Sequence, residues 1–324
     1  MEQTPAPRLD LAQFSAQVRQ IKDEIARVVV GHDLVVDLLI AAILADGHVL
    51  LEGVPGVAKT LLAKLIARLV DVRFSRIQFT PDLMPSDVLG TTVFNMKTSE
   101  FDFHEGPIFA NMILVDEINR APAKTQAALF EVMEERQVSI DGTTHRMGNP
   151  YTIIATQNPV EQEGTYKLPE AQLDRFMFKI VMGYPTLEQE ITILQRHHAN
   201  TRLAKLEDVT PIISKESLLA LRENMSVVLV DNSLLAYIAQ IVQQTRTSKA
   251  VLLGASPRAA VAMLQAAKAI ALIYGRDFVT PDDIKIVAPA VLNHRIIISA
   301  EAEMQGYTAP KIVTTLVNNV EVPK

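Results

Sequence analysis

Eight consecutive residues, Gly53-Val54-Pro55-Gly56-Val57-Ala58-Lys59-Thr60, carry the residue types that phosphate chemistry needs, in the order it needs them. A glycine-containing loop presents successive backbone N–H groups as a concave cradle for phosphate oxygens, and the helix N-terminus behind it adds a positive end. Lys59 would reach the β- and γ-phosphates, and the Thr60 hydroxyl would ligate Mg²⁺. Gly53 through Leu61 are therefore the expected nucleotide contacts. The pattern is that of a P-loop with one departure, because Ala58 stands where the motif has glycine. Its methyl group removes free access to positive φ and narrows the approach of backbone to phosphate, which bears on affinity rather than on the existence of the site.

Two further acids fit the same chemistry. Asn111-Met112-Ile113-Leu114-Val115 is almost wholly apolar and ends in Asp116-Glu117. Such a run suits a parallel strand covered on both faces, so its carboxylates emerge at the carboxyl edge of the sheet, where ligands bind in open α/β folds. Asp116 would hold Mg²⁺ through water, and Glu117 would act as general base on the attacking water. A second buried strand, Tyr151 to Thr156, ends in Gln157-Asn158-Pro159. Asn before Pro is also a common turn former, but level with Asp116 the Asn158 amide would lie beside the γ-phosphate and orient water. Arg258 follows Ser256-Pro257 in a first helical turn, where the macrodipole disfavours a cation unless an anion arrives from outside. Arg175 shows no local role in the sequence.

The elements that must position these groups are legible from periodicity. His48 to Glu52 reads as the strand before the P-loop, and Leu61 to Arg68 as the helix after it. Two helices, Gln13 to Val30 and one ending near Leu44, come first, with a break at Gly31-His32. Val72 to Phe79 alternates as a strand. Thr80 to Phe109 is too long for a plain connection and contains a candidate hairpin, Thr91–Phe94 with Phe101–His104. Ala123 to Glu135 is a helix, Asp141-Gly142 turns a second hairpin, Leu168 to Phe176 is a short helix, and Met177 to Met182 is a strand. From Pro185 onward only helices are expected, with start signals at Thr186, Ser214, Asp231, Ser256 and Thr280. The predicted fold is α/β, an αβα core with a parallel sheet over residues 1–184, followed by a smaller all-helical domain over 185–324.

Composition narrows the alternatives. The 324 residues carry 48% hydrophobic and 21% charged side chains, a net charge of −6 and no cysteine. Disulfides, cysteine-based zinc sites and thiol catalysis are excluded, and an acidic balance disfavours a dedicated nucleic-acid binder. The seven histidines are scattered and form no metal constellation. The longest apolar stretch, Leu34 to Leu51, is broken by Asp37, Asp46 and His48, so no membrane span is expected. Met1 to Asp10 is unlike a secretory signal, and the expected compartment is cytoplasmic.

Taken together, the P-loop, Val115 to Pro122, Ala155 to Pro159, Leu168 to Phe176, Gly254 to Arg258 and His294 to Ile297 resemble the MoxR family of AAA+ ATPases, over nearly the whole chain. Alanine before the P-loop lysine is familiar in that family. The resemblance implies roles the residues alone do not assign. Asn158 would be sensor 1, Arg175 an arginine finger reaching a neighbouring subunit's nucleotide, and Arg258 sensor 2 on a helical lid. Val29 to His32, with Val30 and Gly31 foremost, would contact adenine. The Thr80–Phe109 insertion and the hairpin at about 137–150 would face the centre of a ring of six copies. The implied activity is ATP hydrolysis with Mg²⁺, driving chaperone-like maturation of a partner such as a von Willebrand A-domain protein or a client metalloprotein complex. A magnesium-chelatase-like motor subunit, a nucleic-acid-remodelling motor and a nucleotide-gated scaffold are the competing readings. Glu117, Asn158 and Arg175 together argue against the scaffold.

Overall fold

The computed structural model describes residues 11–159, 164–198 and 206–323, so the expectation for Met1 to Asp10 lies outside the described residues. The chain opens with helices α1 (Leu11–Val28) and α2 (Asp33–Leu44). Phe14, Val18, Ile21 and Ile25 form the buried stripe of α1 at helical spacing, whereas α2 is buried nearly all round. Strand β1 (Val49–Gly53) leads through the P-loop into α3 (Lys59–Leu69), and β2 (Phe74–Gln78) follows. The long connection then folds as α4 (Pro85–Leu89) and an antiparallel hairpin of β3 (Gly90–Asn95) and β4 (Glu100–Glu105).

After the hairpin come β5 (Met112–Asp116), α5 (Ala123–Glu135) and a second hairpin of β6 (Gln137–Ile140) and β7 (Thr143–Arg146). Its turn places Asp141 and Gly142 at φ 49° and 79°, the backbone that an Asp-Gly pair accommodates. The region closes with β8 (Thr152–Gln157), α6 (Glu170–Leu173) and β9 (Phe178–Met182). Five strands pair in the order β2-β5-β8-β1-β9, all parallel. Their side chains are buried on both faces at β1, β5 and β8, as the apolar runs require.

The remaining elements are α7 (Leu187–His198), α8 (Lys215–Asn224), α9 (Asn232–Thr247), β10 (Val251–Leu253), α10 (Pro257–Ile273), α11 (Pro281–Leu292), β11 (Ile297–Ile298), α12 (Ala300–Met304) and α13 (Ala309–Asn319). The capping box at Thr280 forms, with its N–H donating to Asp283 Oδ2 at 2.7 Å. Three expectations need correction. The second half is not purely helical, because β10 and β11 pair as a short antiparallel ribbon. The Leu168–Phe176 helix shrinks to one turn, Glu170–Leu173, behind Pro169, which lacks an N–H to continue it upstream. Ser256 occupies the N-cap position of α10 but makes no cap bond, since its hydroxyl reaches Asp174 instead.

The apolar core is also more continuous than a boundary near Pro185 suggests. Buried residues of α1, α2 and α3 cluster with those of α9, α10 and α11. A polar knot ties the same elements together: Asp37 of α2 accepts from Lys22 Nζ at 2.9 Å and from the Tyr274 hydroxyl at 3.1 Å. Burial and the Asp37 carboxylate push the Tyr274 hydroxyl up to about 12.

Candidate functional site

The carboxyl ends of β1, β5, β8 and β2 converge on one cleft, where the P-loop meets Arg76, Gln78, Asp116, Glu117, Thr156 and Asn158. The two P-loop glycines serve different needs. At Gly53 a Cβ would lie 2.6 Å from the Met182 carbonyl oxygen, so the residue is glycine because β9 passes against it. At Gly56 the backbone takes φ 87°, which glycine adopts freely. Ala58 adopts φ 63° and ψ 19° at the N-cap of α3. The alanine therefore takes the left-handed conformation expected of the missing glycine, at a cost of roughly 1–2 kcal/mol. Lys59 Nζ donates to the carbonyl oxygens of Gly53 and Val54, folding back over the loop that a phosphate would fill.

Asp116 is the best-determined acid of the cleft. It is 4% exposed; Oδ1 accepts from the hydroxyls of Thr60 and Thr156, each at 3.1 Å, and Oδ2 accepts from Arg76 Nε at 2.7 Å. Pairing β5 with β8 in parallel register sets Val115 beside Ala155, which brings Thr156 level with Asp116. Glu117 leaves the strand at φ 57° and ψ 51°, a left-handed turn that swings its side chain across the mouth of the cleft. There its carboxylate accepts from Gln78 Nε2 at 2.8 Å and pairs with Arg120 Nε at 3.1 Å. Non-glycine residues held at positive φ gather at functional sites, and Ala58 and Glu117 are two such residues on one cleft. Asn158 is buried and lines the same cleft at the end of β8.

A second pocket adjoins the first through Gly56, Val57 and Ala58, and is walled by Val30, His32 and Leu61 on one side and Ile193 and His197 of α7 on the other. Burial lowers the His32 pKa below its ordinary value, with Asp33 opposing. Gly31 does not line this pocket; it packs beneath Gln189, whose Nε2 lies 2.5 Å from where a Cβ would sit.

The two distant arginines go elsewhere. Arg175 donates to the Phe130 carbonyl and approaches Glu134 Oε2 at 3.9 Å, while Arg258 Nη2 donates to Glu134 Oε1 at 3.1 Å. Neither lines the P-loop cleft of its own chain. The sequence reading missed Arg76, Gln78, Thr156 and Glu134. Arg76 and Gln78 alternate onto one side of β2, and Gln78 pairs in register with Asp116, a position that becomes visible only once strand order is known.

The residues suit a nucleotide with Mg²⁺. The Thr60 hydroxyl and the Asp116 carboxylate, 3.1 Å apart, converge at the foot of the P-loop where a cation would sit. Mg²⁺ keeps waters and substrate phosphates as its other ligands, so this small, hard-oxygen set fits it. Among the described residues no group of three or more acids, histidines or cysteines could hold a metal alone.

Comparison with known proteins agrees with this geometry. Residues 48–178 match the ATPase family associated with various cellular activities (AAA), and residues 243–316 match the AAA lid domain. Chaperone MoxR1 of Mycobacterium tuberculosis is 44% identical over 93% of this chain and 81% of its own. Protein MoxR of Methylorubrum extorquens is 30% identical over 93% of each chain. The solved structure of a proposed ATPase from Cytophaga hutchinsonii superimposes with a TM-score of 0.87 at 43% identity, covering 97% of both chains.

Proposed function

Because the chain belongs to the MoxR family of AAA+ ATPases, we propose that it couples Mg-ATP hydrolysis to chaperone-like remodelling of a partner protein complex, as a ring of its own copies. The observation that carries the catalytic half is the convergence of Thr60, Asp116 and Glu117 on the P-loop cleft. In this reading Lys59 exchanges the Gly53 and Val54 carbonyls for phosphate oxygens; Thr60, and Asp116 through water, would hold Mg²⁺, which would supply positive charge beside the phosphates. Glu117 takes the proton of the attacking water and Asn158 orients that water. Val30 and Leu61 line the adenine pocket.

Arg175 and Arg258 serve the nucleotide of an adjacent copy, since neither reaches the cleft of its own chain. A surface that supplies cations to a different surface makes a heterologous contact, and such contacts close into rings; six copies is the number we propose. The remodelling half draws support from the β3–β4 hairpin, whose tip exposes Met96, Phe94 and Phe101 beside Glu100 and Asp102. An apolar tip flanked by acids suits a protein client better than a nucleic-acid backbone. A von Willebrand A-domain protein or a metalloprotein complex is the proposed client, and the cytoplasm the proposed compartment; among the described residues no helix is long and apolar enough to cross a membrane.

The test is a substrate trap. Glu117→Gln should bind Mg-ATP and not turn it over, and Lys59→Ala should bind no nucleotide. Mass spectrometry of what Glu117→Gln retains with Mg-ATP in lysate, with Lys59→Ala as control, identifies the client. Recovery of nucleic acid or of chelatase subunits alone would replace the protein-remodelling reading with the corresponding rival.

A further inference from the structure

We propose that Glu134 is a positioning residue that assembles Arg175 and Arg258 into a single anion-binding pair for the terminal phosphate in a neighbouring copy's site. The proposal rests on the trans reading of the two arginines given above. Glu134 is the penultimate residue of α5, and its two carboxylate oxygens divide the arginines between them: Arg258 Nη2 at 3.1 Å and Arg175 Nη1 at 3.9 Å. Arg175 reaches this point from the loop after α6 and Arg258 from the first turn of α10, more than eighty residues away in the chain. Nothing in either local sequence brings them together.

A second contact joins the same two segments. Ser256 Oγ donates to Asp174 Oδ2 at 3.5 Å, one residue before Arg175 and two before Arg258. Asp174 is in turn gripped by the buried Arg295, through Nε at 2.6 Å and through Nη2 to its carbonyl at 3.0 Å. Arg295 also donates to the carbonyls of Phe176, Met177 and Val291, so the backbone on either side of Arg175 is anchored. The backbone around Arg175 is thus set by the Arg295 clamp; its guanidinium donates to the Phe130 carbonyl and faces Glu134, which also accepts from Arg258.

Two guanidinium groups aimed at one point repel each other, and long side chains lose that alignment unless a counter-charge holds it. Glu134 supplies the counter-charge from the side of its own chain and leaves the outward face of the pair open. Arg258 is 64% exposed and Glu134 37% exposed, so the ion pair adds little to stability. The convergence is therefore better explained by what it presents than by what it holds together. The chemistry presented is a doubly cationic fork, which matches a phosphate oxyanion better than a single arginine does.

The experiment uses the full chain and four variants. Glu134→Gln keeps size and polarity but removes the charge. It is expected to lower kcat by up to about a hundredfold, the scale of a misplaced catalytic group, with Mg-ATP affinity and thermal midpoint at parent values. In an Arg175→Ala background the same change is expected to cost less, the remainder acting through Arg258. Glu134→Gln chains mixed with Glu117→Gln chains before nucleotide is added should regain turnover, because each intact site then receives an intact arginine pair from its neighbour. Arg175→Ala mixed with Glu117→Gln is the reference. If that reference mixture recovers nothing, the trans reading fails. If it recovers and the Glu134→Gln mixture does not, or if Glu134→Gln alone turns over at the parent rate, the positioning role is overturned.

Discussion

At the scale of single residues, the site turns on side chains accepting backbone conformations that their type resists. Ala58 stands at φ 63° where the motif has glycine, and α3 starts at the next residue, Lys59. Ala58→Gly would relieve roughly 1–2 kcal/mol of left-handed strain while enlarging the unfolded ensemble by about 0.4–1 kcal/mol. The net favours glycine by about 0–1.6 kcal/mol, so the thermal midpoint should rise by a few degrees at most. Because the alanine already has the glycine conformation, affinity for a Mg-ATP analogue by calorimetry should stay close to the parent. A gain of tenfold or more in the glycine variant would show that the methyl group does obstruct the phosphate. Glu117 presents the same economy differently: its φ of 57° turns the carboxylate out of line with β5 and into reach of Gln78 and Arg120.

At the scale of elements, what could be read in advance was what repeats locally. The wholly apolar β5 and β8, the strand-loop-helix around Lys59 and both hairpins follow from periodicity and turn chemistry, and all are present. What could not be read was pairing between elements distant in sequence. The β2-β5-β8-β1-β9 order decides that Arg76 and Gln78 flank Asp116, and no period along the chain encodes that order. The β10–β11 ribbon was missed because two or three residues per strand leave no alternation to detect. Glu134 was missed because an acid near the end of a helix is ordinarily a solvated one. The β3–β4 hairpin allows a prediction at this scale. Phe103 anchors its base against His145 at 4.2 Å between ring centroids, whereas Phe94 and Phe101 pair at 5.1 Å with their faces in solvent. Replacing Phe94 and Phe101 with serine should leave the unfolding free energy within about 0.5 kcal/mol of the parent, as surface changes do. In the Glu117→Gln trap the same pair of changes should release the client. An unchanged retained fraction would move client contact away from this hairpin.

At the scale of the whole molecule, two histidines buried among several elements make stability depend on pH. His48 precedes β1, accepts from the Ile153 N–H through Nδ1 at 3.0 Å and donates through Nε2 to the Met133 carbonyl at 3.2 Å, joining β8 and α5 beneath the sheet. With Nδ1 serving as acceptor the ring must be neutral, and burial, reinforced by the charge of Arg136, pushes it down to about 3. His294 lies at the seam between α11 and β9, with Nε2 on the Phe176 carbonyl at 3.0 Å, and burial followed by the charge of Arg295 holds it well below the ordinary histidine range. Both folded-state values lie below the unfolded one, so the unfolded chain binds more protons as pH falls through 6.5. Stability contributed by the neutral rings is therefore complete above pH 6.5 and is lost progressively below it. Each histidine costs about 1.4 kcal/mol per pH unit, a steep loss against a total of about 5–15 kcal/mol. The thermal midpoint should be level above the histidine range and fall sharply between about pH 6.5 and 5, before most carboxylates titrate. His48→Gln can keep both hydrogen bonds, because its amide offers one acceptor and one donor, but it cannot take up a proton. Its midpoint-against-pH curve should fall markedly less steeply than the parent's, the remaining slope coming from His294 with a smaller share from His32. Parallel curves would mean that His48 is not the group whose protonation opens the sheet, and a level parent curve would mean that neither buried ring is held neutral.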